Sequence, residues 1–374
     1  MIEQIGLRNF KAFANQTLKL KPVTLLSGLN STGKSSVLQT FGLLRQSYDA
    51  DMLDREGLML NGDLLELGTC RDVLHEGADK AHIEVTLTID GVESRWVGDA
   101  SRRMDDALPL LDRPSNPPVH PLFLRGHAPD AAHFQLIRAD RLNPAVYYPK
   151  SRRSAHRDRF LGSRGEYTAH FLSLHEHELV AEQLRCEGSD ATPGLLAQVS
   201  AWMQEFSPGV RIEVADIPNT DFVRLAFGYG TSGGLSSTGS FRPTNVGFGL
   251  SYVLPILVAC LAARPGSVIL LENPEAHLHP RGQSLMGQLA ARVAAAGAQV
   301  VVESHSDHVL NGMRIAVKNG IVPANHVAAH FFTRKAGELA PHVASPQLNA
   351  QGMIDEWPDG FFDEWDRNLD SLLA

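Results

Sequence analysis

Two kinds of hydrophobic pattern divide the chain. Strict alternation of apolar and polar residues over 82–89, followed by Asp90-Gly91, predicts an antiparallel β-hairpin with a tight turn. Residues 2–13 and 18–20 have a mixed pattern that is typical of edge strands. These segments together predict an antiparallel β subdomain near the start of the chain.

Short, continuous apolar runs predict strands of a second kind, buried on both faces. They occupy residues 23–27, 268–271 and 299–302, and a helical pattern follows each of them. Alternation of strand and helix predicts a mostly parallel sheet with right-handed crossovers. Because ligands of such sheets bind beyond the carboxyl ends of the strands, chemistry is expected in the residues that follow these runs. The helices predicted for the C-terminal third cover residues 249–263, 283–296 and 305–317.

The middle of the chain follows neither pattern for long. Six prolines within residues 100–132 predict loops, whereas residues 167–207 have a helical pattern. Residues 210–214 and 222–227 predict a strand pair, and a loop rich in Gly, Ser and Thr follows over 228–240. We therefore expect an irregular region between two more regular parts.

Composition limits the class of protein without deciding its function. The chain has 374 residues, of which 43% are hydrophobic and 20% charged, as in soluble globular proteins. A net charge of −8 gives no argument for nucleic-acid binding by the whole surface. Three distant cysteines suggest a reducing compartment, and neither a signal peptide nor a membrane-length apolar run is visible. A cytoplasmic protein is expected.

Residues 141–164 form a local exception to the acidic balance. This basic stretch contains seven Lys or Arg residues and one acid, Asp158, with Tyr147, Tyr148 and Phe160 close by. It predicts either a surface that contacts nucleic-acid phosphates or a partner, or a solvated loop whose aromatic side chains pack inward. The seven cations are Arg141, Lys150, Arg152, Arg153, Arg157, Arg159 and Arg164.

The first buried run leads into a phosphate-binding pattern. Residues 28–35 match G-x-x-x-x-G-K-[ST] between a predicted strand and a predicted helix. Glycines let backbone N–H groups turn toward an anion at a helix N-terminus, which already favours negative charge. Lys34 would then reach the terminal phosphates, and the Ser35 hydroxyl would bind Mg²⁺.

The other two buried runs also end in polar residues. Residues 268–275 end in ENPE, where one acid can hold Mg²⁺ and another can orient the attacking water. Residues 300–306 end in ESHS, where His305 is placed to sense or polarise a γ-phosphate. The alternative for His305 is a helix cap. The pairs His175/His177 and His277/His279 have no convincing third metal ligand, which favours structural or surface roles.

Four segments carry a resemblance to a known family, and they read LRNFKAF, GLNSTGKSS, ILLENPEAHLHP and VVVESHSDHVL. With them the chain resembles the ABC-type ATPases of the RecF, SMC and OLD group, over residues 1 to about 100 and 240–345. The closing segment EWPDGFFD looks like the C-terminal tail of some stand-alone bacterial members. The resemblance implies an α/β P-loop NTPase of the ABC head type. Its implied parts are an N-terminal half with the phosphate loop and hairpin (1–100), an inserted loop, helical and β region (101–240), a C-terminal half (241–345) and an acidic tail (346–374).

The resemblance also implies ATP and Mg²⁺ sandwiched between the two heads of a homodimer. A signature segment of one subunit then caps the nucleotide of the other, and residues 245–251, NVGFGLS, lie where that segment is expected. Their glycines and helix start would supply N–H donors; the alternative is a turn that needs glycine for packing. The implied ATP-binding residues are Gly28, Asn30, Ser31, Thr32, Gly33, Lys34, Ser35, Ser36, Asn245, Gly247, Gly249 and Ser251.

One position departs from the family pattern. The usual strand ending is Asp-Glu, with Asp on Mg²⁺ and Glu as the base, whereas this chain has Glu272 and Asn273. An amide can orient water but cannot accept its proton at neutral pH. We therefore expect Glu272 and Ser35 to serve the metal and Asn273 or Glu275 to position water, with hydrolysis slow if neither is an effective base.

The acidic C-terminal tail has a pattern that predicts docking. Residues 355–370 hold seven acids and one base, while Phe361, Trp365, Leu369 and Leu372 share a helical face that would dock on its own domain or on a partner.

No motif for a second enzymatic activity is visible in the sequence, so any downstream effect is expected from another chain. The first hypothesis is an ATP-hydrolysing switch for a separate effector, in bacterial anti-phage defence or DNA metabolism. The second is a slow or non-hydrolysing ATP-dependent scaffold. A small-molecule kinase is disfavoured because it would not explain ENPE and ESHS together.

Overall fold

The structure is a computed structural model that describes residues 1–115, 118–124, 131–230, 238–335, 337–338 and 340–373, without the side chains of 364–367. Its contacts divide the chain into two units. Unit 1 comprises Met1–Pro118 and Val301–Ala374, and unit 2 comprises Val119–Val300. The four-part division expected from the family resemblance stays a prediction.

The strands are β1 (Ile2–Phe10), β2 (Phe13–Lys19), β3 (Val23–Gly28), β4 (Gly57–Met59), β5 (His82–Ile89), β6 (Val92–Asp99), β7 (Ala107–Asp112), β8 (Phe134–Ile137), β9 (Tyr148–Pro149), β10 (Val210–Asp216), β11 (Phe222–Tyr229), β12 (Val268–Glu272), β13 (Gln299–Glu303), β14 (Val327–Thr333) and β15 (His342–Ala344). The helices are α1 (Lys34–Asp49), α2 (Cys70–Val73), α3 (Thr168–His175), α4 (Leu195–Phe206), α5 (Phe248–Leu261), α6 (Pro280–Ala295), α7 (Asp307–Lys318) and α8 (Glu364–Leu373).

An antiparallel sheet in the order β2-β1-β5-β6-β7-β4 forms much of unit 1. The predicted hairpin is confirmed: β5 alternates buried and exposed residues, and Asp90 and Gly91 have the positive φ angles of its turn. Strand β7 lies in the stretch that was predicted to be rich in loops and not a long helix. The strand is possible there because only Pro109 falls inside it, and it buries Leu108 and pairs with β4 and β6.

A second set of strands in unit 1 positions the phosphate loop. β14 pairs in parallel with β3 over the whole length of β3, and antiparallel with β15. β13 crosses the boundary of the two units, and just after it the Ser304 N–H donates to the Leu26 carbonyl of β3 at 3.0 Å. The loop after β3 and the turn after β13 therefore leave neighbouring strand ends.

The C-terminal tail packs within unit 1. Phe361 is fully buried, with its ring 4.9 Å from Phe331 of β14, and Arg314 of α7 lies over the Trp357 ring. The prediction that Phe361 lies on the same helical face was wrong, because α8 begins only at Glu364; Leu372, on the helix, is 82% exposed. Trp365, the remaining aromatic of that face, is outside the described side chains.

Unit 2 combines a parallel strand pair with an antiparallel sheet. β12 pairs in parallel with β8, and the apolar helix α5 and the amphipathic α6 flank β12 in sequence. β10, β11 and β9 form the antiparallel sheet, which confirms the predicted strand pair. The predicted helical region, 167–207, contains α3 and α4 with irregular chain between them. Among the described helices, none is long and apolar enough to span a bilayer.

Candidate functional site

The loop between β3 and α1 has the backbone that an anion site requires. Gly28 has φ +127°, and an added Cβ would lie 2.0 Å from the Phe332 carbonyl oxygen. Gly33 has φ +99°, and a Cβ there would lie 2.6 Å from the Phe13 ring. Gly33 also caps α1 without a side chain, so the first N–H groups of the helix face the loop. Only glycine fits at these two positions.

Lys34 is folded over the same loop. It is 3% exposed, and its Nζ donates to the carbonyls of Gly28 (3.1 Å) and Leu29 (2.6 Å), while the Thr32 hydroxyl donates to Leu29 (2.7 Å). Burial lowers the pKa of Lys34, and the charge of Glu303 acts against that change. Phosphate oxygens are stronger acceptors for an ammonium group than these carbonyls, so a nucleotide would take their place.

Ser35, the expected metal ligand, donates its hydroxyl to Glu303 Oε1 at 2.7 Å. Glu303 ends β13 and is 5% exposed. Sequence reasoning did not assign Glu303, although its signal was present as a carboxylate directly after an apolar strand. Of the other expected loop residues, Asn30 and Ser31 are exposed and Ser36 is buried.

The turn after β13 is built around two serine hydroxyls. Ser304 Oγ accepts from the Ser306 N–H at 3.0 Å, and Ser306 Oγ accepts from the N–H groups of His308 (3.1 Å) and Val309 (3.3 Å). Ser306, and not His305, is therefore the N-cap of α7. His305 lies between them and is exposed at the carboxyl end of the strand.

The ENPE turn of unit 2 is fixed by the chain that follows β8. Arg141, only 2% exposed, donates to the carbonyls of Glu272 (3.0 Å) and Asn273 (2.8 Å). The Ala139 N–H donates to Glu272 Oε2 at 3.1 Å. Asn273 has φ +44°, a conformation that asparagine tolerates better than most residues. Arg141 thus holds the backbone of a turn with unfavourable geometry.

Burial disfavours the charged forms of both Glu272 and Arg141, so it shifts their pKa values in opposite directions. It raises the pKa of Glu272, against the hydrogen bond from Ala139. It lowers the pKa of Arg141 to about 10, so the guanidinium stays charged at neutral pH. The nearby charges of Arg138 and Arg141 act against the rise in the Glu272 pKa without cancelling it.

The signature-like segment packs against the same turn. Gly247 is the N-cap of α5, and an added Cβ at Gly249 would lie 2.7 Å from the His277 carbonyl oxygen. The Tyr252 ring lies under the Arg141 guanidinium, 5.3 Å from its centroid, and 4.8 Å from the His277 ring. Two expected residues lie elsewhere: Asn245 is exposed ahead of the helix, and Ser251 is buried on the inner side of α5.

The basic stretch is much less open than its composition suggested. Arg159 is 3% exposed and donates to Glu178, Lys150 pairs with Asp216, and Arg141 makes the contacts given above. Arg141 and Arg159 are therefore not part of an exposed cationic surface, and whether the exposed arginines contact phosphates or a partner stays a prediction. Tyr148 is buried, and Tyr147 is exposed beside Phe222. Arg152, Arg153 and Arg157 are exposed on a π-helical turn, the last two near Asp158.

The histidine pairs have ordinary contacts. His175 Nδ1 lies 3.2 Å from Glu178, and His177 is exposed beside Glu176. Within the described ranges, no three His, Cys, Asp or Glu side chains are grouped so that they could hold a metal ion.

Three family models match separate segments of the chain. Residues 1–86 match the model described as "AAA ATPase domain", and residues 229–311 match "AAA domain, putative AbiEii toxin, Type IV TA system". Residues 322–372 match "Protein of unknown function (DUF3696)". The two AAA matches contain the phosphate loop and the ENPE turn respectively. No curated protein matches the sequence.

Solved structures share the fold at low sequence identity. An SMC head bound to the C-terminal winged-helix domain of ScpA aligns with a TM-score of 0.53 and 13% identity, over 93% of this chain and 98% of that one. An SMC head with an extended coiled coil, bound to the C-terminal domain of ScpA from Pyrococcus furiosus, aligns with a TM-score of 0.51 and 11% identity, over 100% of this chain and 99% of that one. These alignments confirm the predicted α/β fold of the ABC-ATPase head type.

Proposed function

We propose that this chain, which has the fold of an ABC-ATPase head and two segments that match AAA models, hydrolyses ATP with Mg²⁺ and dimerises around the nucleotide. The observation that carries the proposal is the loop of residues 28–35, with its two obligatory glycines and its folded-back Lys34. The N–H groups of the loop and α1 would bind the phosphates, with Asn30, Ser31, Thr32 and Ser36 lining it.

We assign the remaining roles by their positions after the strands. Ser35 and Glu272 offer the oxygen ligands that Mg²⁺ prefers. Asn273 or Glu275 would position the attacking water, and His305 would contact the γ-phosphate. Gly247 and Gly249, at the start of α5, would contribute N–H groups to the nucleotide of a second subunit. The exposed Asn245 would flank that contact, and the buried Ser251 would support it from within the helix.

We further propose that the ATPase is a switch for a separate effector in the cytoplasm, in anti-phage defence or DNA metabolism. The AbiEii description of one matching model and the ScpA domains bound to the similar SMC heads support a regulatory ATPase with a protein partner. The tail offers a place for that partner. Phe361 anchors it, while Leu372 and Leu373 of the acidic helix α8 are each 82% exposed.

Nucleotide-dependent association tests the central proposal. Molar mass in solution and phosphate release would be measured with ATP, with ADP and without nucleotide, for the wild type and for Lys34→Ala. We expect a dimer with ATP only, Mg²⁺-dependent phosphate release, and loss of both in the variant. A wild-type chain that stays monomeric and releases no phosphate would contradict the proposal.

The second candidate is an ATP-dependent scaffold, and Asn273 in the position of the base favours it. A stable ATP-bound dimer that releases no phosphate would identify the scaffold. The effector proposal has its own test, which is co-purification with and without ATP for the wild type and for Leu372→Asp. We expect the variant to keep ATPase activity and lose the partner; a partner retained equally by both chains would contradict docking on α8.

A further inference from the structure

Glu303 is a buried carboxylate to which the proposed function gives no role. It is 5% exposed, and its Oε1 accepts the hydrogen bond from the Ser35 hydroxyl at 2.7 Å. Burial of an ionised carboxylate is costly unless charges and hydrogen bonds compensate for it. The charges of Lys34 and Glu303 interact, and Lys34 directly precedes Ser35 in the phosphate loop. The carboxylate is thus part of the loop's immediate surroundings.

The direction of this hydrogen bond matters for metal binding. Ser35 donates its hydroxyl hydrogen to Glu303 Oε1, and the carboxylate oxygen is the acceptor. The Ser35 oxygen then keeps its lone pairs for a cation. Groups that bind metals are commonly oriented in this way by a hydrogen-bonded carboxylate behind them.

We infer that Glu303 is the positioning carboxylate of the Mg²⁺ site in this protein. It fixes the Ser35 hydroxyl in the rotamer that offers its oxygen to the cation, and it adds negative charge behind that ligand. The inference rests on the proposed function, because it deepens the role of the same phosphate loop. The site fits Mg²⁺ in its chemistry, since the Ser35 hydroxyl is a hard oxygen donor of the kind this ion prefers and the Glu303 carboxylate supplies negative charge behind it.

Glu272 has a different contact. Its carboxylate accepts the N–H of Ala139, and its backbone carbonyl accepts from Arg141. The hydroxyl of the phosphate loop is therefore paired with the carboxylate that ends β13. The sequence motifs had assigned Ser35 and Glu272 to the metal and had given Glu303 no role.

The test separates metal binding from nucleotide binding. Binding of a fluorescent ATP analogue would be titrated with Mg²⁺, and again in EDTA, for the wild type, Glu303→Gln and the control Glu84→Gln. Glu84 lies on β5 of the same unit and pairs with Arg95 at 2.8 Å. For Glu303→Gln we expect about 10- to 100-fold weaker Mg²⁺ affinity in the nucleotide complex. Its metal-free affinity for the analogue should be unchanged or tighter, because a negative charge near the phosphates is removed.

A general structural role would give a different result. Loss of packing would weaken analogue binding in Mg²⁺ and in EDTA to the same extent, and this would overturn the inference. If Glu303→Gln does not fold, Glu303→Asp keeps the charge while withdrawing the carboxylate from Ser35, and it should give the same selective loss of Mg²⁺ affinity.

A double-mutant cycle tests whether Glu303 acts through Ser35. We expect Ser35→Ala with Glu303→Gln to bind Mg²⁺ no more weakly than Ser35→Ala alone, because the hydroxyl to be positioned is already absent. Fully additive losses would overturn the inference. If Glu303→Gln binds Mg²⁺ as tightly as the wild type, the inference about Glu303 is overturned while the proposed function is unaffected. Failure of the wild-type chain to bind the analogue in either condition would overturn the proposed function together with it.

Discussion

The two strands β12 and β13 both end in a glutamate after an apolar run, yet the two glutamates are held in opposite ways. At the end of β13, in unit 1, the Glu303 side chain contacts the hydroxyl of Ser35 in the phosphate loop. At the end of β12, in unit 2, the backbone carbonyls of Glu272 and Asn273 are the groups held, and Arg141 binds them. The Glu303 side chain thus contacts the phosphate loop, whereas at the end of β12 the hydrogen bonds from residues 139 and 141 hold the Glu272 side chain and the backbone of the turn.

The backbone explains this difference. Asn273 lies in the left-handed region at φ +44°, so the turn after β12 needs external contacts to keep its conformation. The turn after β13 instead continues into α7, whose N-cap Ser306 satisfies the first N–H groups. A carboxylate after an apolar strand therefore does not by itself specify a role. Its partners decide whether it serves a ligand or the fold.

The largest expected effect is at the end of β12. Glu272→Gln should lower the turnover of ATP by about 100-fold, because the Mg²⁺ site that we propose would lose a charged ligand. Asn273→Ala and Glu275→Gln should each lower it less if the two residues share the positioning of water. Phosphate release at saturating ATP and Mg²⁺ measures all three. Unchanged rates in all three variants would refute the assignment of catalysis to this turn.

The next effect concerns Arg141. Arg141→Met removes two charge-assisted hydrogen bonds, each worth about 1.5–3 kcal/mol, and should lower turnover per folded molecule about tenfold. Arg159→Met is the matched control. Arg159 is equally buried but pairs with Glu178, so that variant should lose stability and keep its turnover per folded molecule. Equal losses of turnover in both variants would show that Arg141 stabilises unit 2 without positioning the turn.

The sequence predicted the parts of the fold whose pattern is local. The hairpin of β5 and β6 followed from alternation and Asp90-Gly91, and the phosphate loop from its spacing. Strand β14 was missed because its pattern is mixed. His330 is buried within it, with its ring nitrogens 2.8 Å from the Lys19 carbonyl and from Ser345 Oγ. Those partners lie far away in sequence, so only the folded chain can satisfy that histidine.

For the candidate site, too, the sequence predicted the local motifs but not the contacts between distant residues. The motifs named the residues of the phosphate loop, but they gave no sign of the contact between Ser35 and Glu303, which are 268 positions apart. Arg141 was counted as one cation of a basic stretch. Composition does not distinguish an arginine that faces solvent from one that binds backbone carbonyls, and this distinction decides the role of Arg141.

A gain of function tests whether Asn273 stands in the position of the base. Asn273→Glu should raise turnover about tenfold or more, because a carboxylate can accept a proton from water. The left-handed backbone should make the variant about 1–2 kcal/mol less stable. Asn219→Glu controls for that strain, since Asn219 is exposed with φ +59°, and its turnover should not change. Turnover that falls or stays constant in Asn273→Glu would remove Asn273 from the base position.

The smallest effect separates packing from ligand contact at the start of α5, which adjoins the turn after β12. An added Cβ at Gly249 would lie 2.7 Å from the His277 carbonyl oxygen, whereas a Cβ at Gly247 would meet nothing within 4 Å. Gly249→Ala should therefore cost about 1–3 kcal/mol in the free energy of unfolding, because backbone atoms must move apart. Gly247→Ala should cost less, about 0.5–1 kcal/mol, because glycine is preferred over alanine at an N-cap.

Urea denaturation measures both costs, and phosphate release then shows what each glycine does beyond packing. If Gly247 supplies an N–H to the nucleotide of a second subunit, Gly247→Ala keeps that N–H and should turn over ATP almost as fast as the wild type. In Gly249→Ala, the shift of His277 should reach the turn that Arg141 holds and lower turnover together with stability. Equal stability of the two variants would mean that the segment does not pack on the turn. The contrast between the turn after β12, which outside contacts fix, and the turn after β13, which its own helix cap fixes, would then not hold for β12.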